Sequence, residues 1–316
     1  MLSVVVGHAY IPFASVLYKV IYSCHMPLFM IISGFFFQKK LRQSPPLTQI
    51  LQKKSRQLLL PILVFGTIYY ILNQDLTLPF SGQVYNYYGT LIRTLWFLKA
   101  NFFAIFIVLL LNLAFKNKRI HILFYILFCF LFMLVPDYGH TAGDKFLFPC
   151  FIAGLFLEQH QTYIIPRYKA HRLLWFLLLS VLYGFLLVLM DNSRTIYGNS
   201  VFLFEDGADW KTVLFNDCFR VAIGIIGSLF FLAIFENLFY LLPNSIIYQP
   251  FVKIGQITLP FYCFHIFLHD LFLHFHPNDS LSLIEGHRIL YIVIMTVITY
   301  SLSVLWEKKS SPTRAK

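Results

Sequence analysis

Charged residues are scarce in this chain. Only 12% of its 316 residues are Asp, Glu, Lys or Arg, whereas 58% are hydrophobic. A soluble domain carries roughly a quarter charged residues, so this chain lacks the polar side chains needed to cover a globular surface. Its apolar residues also form long runs, such as Leu58–Leu72 and Phe102–Phe115, which suit a hydrocarbon environment. The sequence therefore excludes a soluble protein and predicts a polytopic membrane protein.

Cysteine pairs, internal repeats and long polar segments are also missing. The 5 cysteines lie singly, with no CxxC pair, and are interpreted as small buried hydrophobic residues rather than disulfides or metal ligands. No connection between apolar runs is long enough for a folded soluble domain, and the longest is about Asp191–Asp217. We therefore predict a single transmembrane domain over residues 1–316, which acts in or at the membrane.

The apolar runs predict an all-α fold with about ten membrane spans, because roughly 20 apolar residues cross the hydrocarbon layer as a helix. The predicted spans are Met1–Leu17, Val20–Phe37, Leu58–Leu72, Leu95–Phe115, Ile120–Val135, Phe146–Leu157, Leu173–Met190, Phe219–Leu241, Ile254–Phe275 and Ile289–Trp306. The sixth span is short and contains Pro149 and Gly154, which predicts a tilted, broken or re-entrant segment.

The net charge of +11 would indicate a nucleic-acid partner in a soluble protein. Here the positions of the charges matter more. Of the 25 Lys and Arg residues, 17 follow the even-numbered spans or lie in the C-terminal tail, whereas 11 of the 14 Asp and Glu residues lie in or near the other connections. The positive-inside rule then predicts a multi-pass protein of the cell inner membrane with both termini cytoplasmic, in contact with lipids and not with nucleic acid.

The first predicted span is unusual. Met1–Leu17 is barely long enough to cross, contains His8 and Pro12, and lacks the basic flank of a signal peptide. We therefore expect the first helix to be truncated at its N-terminus. The in-frame DNA upstream of Met1 is predicted to complete a ~20-residue span and to encode at least one arginine.

Ionisable side chains inside predicted spans are functional candidates, because each is costly in a bilayer unless it is paired or hydrated. His8 and His25 stand symmetrically about the short outer connection Ala14–Lys19, so an antiparallel hairpin puts both imidazoles at similar depth. Either they face one chamber, or they reach toward the outer headgroups. The spacing alone leaves both interpretations open.

The ninth predicted span contains His265, His269 and Asp270. The two histidines share a helix face, whereas Asp270 lies on a different side. The HxxxxD string that ends at Asp270 matches a pattern of glycerolipid acyltransferases, but that pattern requires an intervening turn and companion motifs that this sequence lacks. Because further ligands for a metal are not evident, no metal site is predicted, and a structural or substrate-contacting role is favoured for His265.

A basic cluster of Lys53, Lys54 and Arg56 precedes Pro61 at the start of the third predicted span. One interpretation is positive-inside topology with contact to anionic lipid headgroups. The other is a clamp for the phosphates of an anionic donor. The residues by themselves favour the first.

Several strings of this sequence occur together in a known order. The most specific are Val4-Val5-Val6-Gly7-His8 and the run Ser23–Phe37, which reads SCHMPLFMIISGFFF. They are followed by Lys53-Lys54-Ser55-Arg56 before Pro61, Leu95-Trp96-Phe97-Leu98, Phe148-Pro149 to Gly154, and Gly255–Tyr262 to His265. Over nearly its whole length the chain resembles the integral-membrane acyltransferase 3 family, in particular its fucose 4-O-acetylase-like branch. That resemblance also implies ten spans with both ends inside.

The resemblance implies transfer of an acyl group, usually acetyl, from cytoplasmic acyl-CoA to a hydroxyl of a cell-surface glycan or its lipid-linked precursor. His8 takes the position of the family's catalytic histidine, where a neutral imidazole removes the proton of the attacking hydroxyl. Acetyl-CoA is a donor substrate in this scheme, and no tightly bound cofactor is expected. His25, Ser33, Trp96 and His265 are further candidates for catalysis or acceptor binding.

The resemblance also changes the interpretation of the basic cluster, since Lys53, Lys54 and Arg56 take the position of the family's inner basic motif. A phosphate clamp for acyl-CoA is now favoured over lipid contact. One departure is the family's arginine upstream of the first-helix histidine, because only seven residues precede His8. Either the true start lies upstream, or the product lacks part of its donor site. The alternative function is a non-enzymatic permease or flippase for a lipid-linked sugar, which the lack of visible inverted repeats disfavours.

Overall fold

The computed structural model describes residues 2–9, 16–73, 77, 79–134, 142–190, 209–241, 248–275, 284 and 286–310. Within these ranges the chain is almost entirely helical and forms no strand, which confirms the all-α prediction. A helix satisfies its backbone hydrogen bonds within one segment, as a lipid environment requires. The helices are α1 (Leu2–Ala9), α2 (Val16–Leu41), α3 (Leu47–Asn73), α4 (Phe80–Arg93), α5 (Trp96–Ala114), α6 (Lys118–Leu134), α7 (Ala142–Gln159), α8 (Gln161–Ala170), α9 (Arg172–Leu189), α10 (Trp210–Leu241), α11 (Tyr248–Gln256), α12 (Thr258–Phe275) and α13 (Arg288–Ser310).

Six helices in the described ranges are long and apolar enough to cross a membrane, namely α2, α3, α5, α9, α10 and residues Arg288–Glu307 of α13. The chain is therefore polytopic, while the count of about ten spans and the cytoplasmic position of both termini stay predictions. The longest helix, α10, has 32 residues. At 1.5 Å per residue it measures about 48 Å, against about 30 Å of hydrocarbon.

The structure differs from the predicted spans in four places. The amphipathic helix α4 was not predicted, and neither was the short helix α8. The ninth predicted span is divided near Ile257 into α11 and α12. Of the three forms predicted for the sixth span, the broken one is wrong, because α7 continues through Pro149 and Gly154, while the tilted and re-entrant forms stay predictions. A proline removes one backbone donor from a helix, and here the close packing of α7 against α2 holds the helix together.

Helices α2 and α7 form the centre of the bundle and cross at two glycines. A Cβ atom added at Gly34 would lie 2.1 Å from the carbonyl oxygen of Phe151, and one added at Gly154 would lie 2.1 Å from the carbonyl oxygen of Ile31. Small residues of this kind let two helix backbones approach closely in a membrane protein. The two strings that contain Gly34 and Gly154 therefore make the tightest crossing described for the fold.

The two central helices run parallel and end together. At their C-terminal ends, Arg42 Nε lies 3.1 Å from Glu158 Oε2, and the same arginine donates hydrogen bonds to the backbone carbonyls of Glu158 and Gln159. Helix α3 begins nearby and presents Lys53 and Lys54 there. We call this end of the bundle the basic end and the opposite end the far end. The charge sorting of the sequence predicts that the basic end faces the cytoplasm.

The distribution of side chains is inverted relative to a soluble protein. Large apolar side chains point outward from the peripheral helices, with Val188 83% exposed on α9 and Ile289 77% exposed on α13. Ionisable side chains lie inside instead, including His265 and Arg220, which are 0% and 2% exposed. An apolar exterior around a partly polar interior is the arrangement expected of a protein surrounded by lipid.

Candidate active site

Three histidines meet inside the bundle, although they are far apart in the chain. The ring of His8, on α1, lies 5.3 Å from that of His265 and 4.4 Å from that of His269, measured between centroids. His265 and His269 are one turn apart on α12, with their rings stacked at 6.3 Å. We call these three residues the histidine cluster. It forms because α1 packs against α2 and α13, while α12 packs against α13.

Each member of the histidine cluster has a different hydrogen-bonding environment. His269 Nδ1 lies 2.6 Å from the hydroxyl oxygen of Tyr291 on α13. His265 is fully buried, and neither of its ring nitrogens has a hydrogen-bond partner among the described residues. An imidazole has two polar nitrogens that need partners when buried. The interior around His265 is therefore suited to a polar ligand or water.

Tyr262 extends the same face of α12 toward the basic end, since it precedes His265 and His269 by three and seven residues. Its ring packs against Phe97 of α5 at 5.6 Å between centroids. Trp96, the neighbour of Phe97, contacts the Phe97 ring edge-on at 6.4 Å. Tyr262 thus links the start of α5 to the face of α12 that carries the histidine cluster.

His25 lies on α2, the helix against which α1 packs. A ring nitrogen of His25, Nδ1, donates to the carbonyl oxygen of Ile21 at 2.6 Å, so the neutral ring carries its lone pair on Nε2. Its ring also contacts Tyr22 edge-on at 5.2 Å. A Cβ atom added at Gly7 would lie 3.3 Å from the Tyr22 ring, so α1 packs on α2 beside His25. That His8 and His25 face one chamber stays a prediction.

Ser33 belongs to a different polar contact, in which its hydroxyl donates to Asn101 Oδ1 of α5 at 2.9 Å. This bond joins α2 to α5 beside the glycine crossing. No described contact joins Ser33 or Trp96 to the histidine cluster, so their predicted role at the acceptor stays a prediction.

A groove of about 570 Å³ opens at the basic end between α3, α12 and α13. Arg56, Gln256 and Glu307 form its polar rim, and Phe65 and Cys263 belong to its apolar wall. Of the predicted basic cluster, Arg56 lines the groove, while Lys53 is exposed on the same helix and Lys54 is half-buried.

The groove and the histidine cluster lie on opposite sides of α12. Cys263, in the groove wall, and His265 are two residues apart, which is about 200° around an α-helix. The groove therefore reaches the depth of His265 without opening onto it. Any donor held there is separated from His8 by the thickness of one helix.

Two hydrogen-bond partners of candidate residues were not found from the sequence. Tyr291 is one of 19 tyrosines, and nothing in its neighbourhood distinguishes it. Asn101 is equally inconspicuous within α5. Within the described ranges, no group of three or more His, Cys, Asp or Glu side chains is arranged to hold a metal ion.

A helical bundle with an apolar exterior and a buried histidine cluster defines a polytopic membrane protein with polar side chains in its interior. The family described as an acyltransferase domain, Acyl_transf_3, matches residues 1–307. The chain therefore belongs to this acyltransferase family, as the sequence resemblance predicted.

A curated relative is the nodulation protein NolL of Mesorhizobium japonicum. The two sequences are 28% identical over 204 residues, which cover 62% of this chain and 52% of that protein. The chain thus spans about half the length of this relative. No solved structure matches the chain.

Proposed function

We propose that the protein is an O-acyltransferase that transfers an acetyl group from acetyl-CoA, at the basic end, to a hydroxyl of a cell-surface polysaccharide or its lipid-linked precursor. The observation that carries this proposal is the position of His8. The histidine at the place of the family's catalytic residue lies within 5.3 Å, between ring centroids, of two further buried histidines.

His8 serves as the general base in this scheme. Its neutral imidazole accepts the proton of the acceptor hydroxyl while the hydroxyl oxygen attacks the thioester carbonyl. The new C–O bond forms, the C–S bond breaks, and the proton passes from the imidazolium to the thiolate of CoA. The products are the O-acetylated acceptor and CoA thiol. No covalent enzyme intermediate is needed, because the thioester is already activated.

The neighbouring residues support that base. The bond to Tyr291 fixes the ring of His269, which in turn packs against His8. His265 offers two buried ring nitrogens at the same depth and supplies hydrogen bonds to the reacting groups.

The groove at the basic end is the site we propose for the donor. Arg56 provides a cation for the phosphates of CoA, because a guanidinium forms charge-assisted hydrogen bonds with phosphate oxygens. The apolar wall suits the pantetheine arm. Since α12 separates the groove from His8, transfer requires the arm to pass around this helix or the helix to shift.

The decisive experiment compares two histidine variants in isolated membranes. Radiolabelled acetyl transfer from acetyl-CoA to glycan is expected to fall at least about 100-fold in His8→Ala, as general-base catalysis is worth that much or more. The matched control is His274→Ala on α12, where the imidazole bonds to Asn73 outside the histidine cluster. Transfer is expected to be unchanged in the control, and both variants are expected at the wild-type level in the membrane.

Undiminished transfer by His8→Ala would refute the role of His8. A deletion strain that keeps its glycan fully acetylated, yet no longer delivers it to the surface, would instead favour a permease or flippase.

A further inference from the structure

A second groove, which the proposed chemistry does not use, opens on the outside of the bundle between α2, α8 and α10. Its volume is about 410 Å³, and nine of its ten lining residues are apolar, among them Phe36, Ile164 and Leu232. Phe36 is 61% exposed and Ile164 is 42% exposed. The cavity therefore opens toward the surrounding lipid and not toward the interior of the bundle. We call it the side groove.

The one polar residue that lines the side groove is engaged within the protein. Gln161 Nε2 donates a hydrogen bond to Glu158 Oε1 at 3.1 Å, and the same carboxylate forms the ion pair with Arg42. The lining therefore offers an occupant mainly apolar contact. A sugar or a nucleotide placed there would lose hydrogen bonds to water without replacement, whereas a hydrocarbon chain would not.

Two exposed cations stand at the rim of the side groove. Lys39 follows Phe36 by three residues on α2, and Arg167 follows Ile164 by three residues on α8, so each cation shares a helix face with a lining residue. Neither cation forms an ion pair with any acidic side chain that the structure describes. Lys39 lies in the last turn of α2, at the basic end, where a spanning helix reaches the lipid headgroups.

The rim also carries one exposed carboxylate, which belongs to Glu236, four residues after Leu232 on α10. A further cation lies beside it, since Arg172 Nη2 donates to the backbone carbonyl of Glu236 at 2.8 Å. Helix α8 contains no acidic residue, and Glu158 is already paired with Arg42. Over the part of the chain that the structure describes, positive charge therefore exceeds negative charge around the side groove.

We propose that the side groove binds an anionic glycerophospholipid, with an acyl chain along its apolar wall and the phosphate at Lys39 and Arg167. Side chains of a helix lean toward its N-terminus, so both cations lean back toward the lining residues. Cations next to a membrane attract anionic lipids, and lysine and arginine both bind phosphate. A second copy docked through the same surface would instead bring like charges together.

Binding is tested on the full-length protein purified in a neutral detergent. The probe is dioleoylphosphatidylglycerol, and its match with identical chains and no net charge is dioleoylphosphatidylcholine. The anionic lipid is expected to raise the midpoint of thermal unfolding in a saturable manner, and the uncharged lipid is expected to raise it less. Glycerol 3-phosphate, which lacks the chains, is expected to leave it unchanged. Equal responses to the two lipids, or to glycerol 3-phosphate and the anionic lipid, would overturn the proposal.

Charge variants assign the effect to the rim. Lys39→Gln and Arg167→Gln are each expected to weaken half-saturation by phosphatidylglycerol about tenfold, because a charge-assisted hydrogen bond to phosphate is lost. The matched control is Lys116→Gln, an exposed cation between α5 and α6 that the charge sorting places on the same side of the membrane. It is expected to bind within about twofold of the wild type. Unaltered binding by the rim variants, or an equal loss in the control, would overturn the proposal.

A variant with the opposite expected effect covers the case in which the cation variants do not fold. Glu236→Gln removes the exposed carboxylate of the rim and leaves the cations, so phosphatidylglycerol is expected to bind about two- to threefold more tightly. Unaltered binding would show that the headgroup does not lie at this rim. Weaker binding would indicate a headgroup with its own ammonium group. Either result would overturn the proposal.

A groove-filling variant tests the position of the acyl chain. Ile164→Trp occupies the side groove from its rim and is expected to abolish the saturable response to phosphatidylglycerol. Its matched control is Tyr163→Trp, at an exposed neighbour that does not line the cavity, and this variant is expected to respond like the wild type. If Ile164→Trp responds like the wild type, or if it instead halves the molecular mass measured by light scattering, the side groove is not a lipid site. These measurements contain no acetyl donor, so a failure of the His8 experiment leaves their outcome intact.

Discussion

At the residue scale, the hydroxyl of Tyr291 is the group that holds the histidine cluster in one arrangement. It lies 2.6 Å from His269 Nδ1, while the His269 ring lies 4.4 Å from that of His8, between centroids. A ring whose hydrogen bond is lost is free to rotate, and the ring packed against it then has no fixed neighbour. We therefore expect Tyr291 to act as a positioning residue.

Tyr291→Phe removes this hydroxyl and keeps the ring. We expect kcat for acetyl transfer to fall about 3- to 10-fold, which corresponds to one neutral hydrogen bond, and KM for acetyl-CoA to stay unchanged. The matched control is Tyr300→Phe, an exposed tyrosine of α13. Kinetics in membranes with equal protein levels measure both. A wild-type kcat in Tyr291→Phe, or an increase in KM alone, would show that the hydroxyl does not position the histidines.

At the element scale, the crossing of α2 and α7 explains two of the strings that resemble the family. Gly34 and Gly154 each face a backbone carbonyl of the other helix at a distance that leaves no room for a methyl group. Ile31 and Phe151 supply those carbonyls. These glycines are accordingly needed for packing, whereas the histidines of the proposed site lie on α1 and α12.

Gly34→Ala and Gly154→Ala are each expected to destabilise the protein by about 1–3 kcal/mol or more, because the obstacle is backbone and the helices must separate. The matched control is Gly184→Ala on α9, where an added Cβ meets nothing within 4 Å. Thermal unfolding in detergent and the level of folded protein in membranes provide the measurement. Equal stability of Gly34→Ala and Gly184→Ala would contradict this packing.

At the scale of the whole molecule, the groove and the buried charged residues at the start of α7 and α10 lie at opposite ends of the bundle. Arg56 and Glu307 line the groove near the basic end, and Lys145 and Arg220 lie toward the far end. The histidine cluster is inside, on the side of α12 away from the groove. The groove proposed for the donor and the histidine cluster are thus separated by one helix.

Arg56→Gln tests the donor half of this layout. We expect KM for acetyl-CoA to rise about tenfold, since a hydrogen bond to a charged group contributes about 1.5–3 kcal/mol, while kcat stays near the wild-type value. The control is Arg119→Gln, an exposed cation at the start of α6. Initial rates over a range of acetyl-CoA concentrations measure both constants. An unchanged KM in Arg56→Gln would place the donor outside the groove.

Much of the fold was predictable because membrane helices are specified locally. Long apolar runs predicted most of the helices, since the backbone in lipid has few alternatives to a helix. Most ends differ by a few residues, but α3 begins at Leu47 rather than Leu58 and α10 at Trp210 rather than Phe219, because polar turns precede both apolar runs. The amphipathic helix α4 was not predicted, because its 14 residues are too few and too polar to be recognised as a membrane span. The continuity of α7 through Pro149 was missed because it depends on the packing of a second helix.

The candidate site was predictable only in part. His8 was found from its sequence motif, and His265 and His269 were found because they are titratable side chains in an apolar run. Their convergence was not predicted, since His8 and the α12 histidines are separated by most of the chain. Tyr291 and Asn101 carry no local signal at all.

The sequence by itself determined that this protein is helical, is embedded in a membrane and belongs to an acyltransferase family. Composition, the length of the apolar runs and the short sequence motifs can all be recognised from neighbouring residues. The tertiary structure decided which histidines meet, that α12 separates the groove from them, and that Lys145, Asp217 and Arg220 share one buried place. These are distances between residues remote in the chain, and only the packing of whole helices sets them.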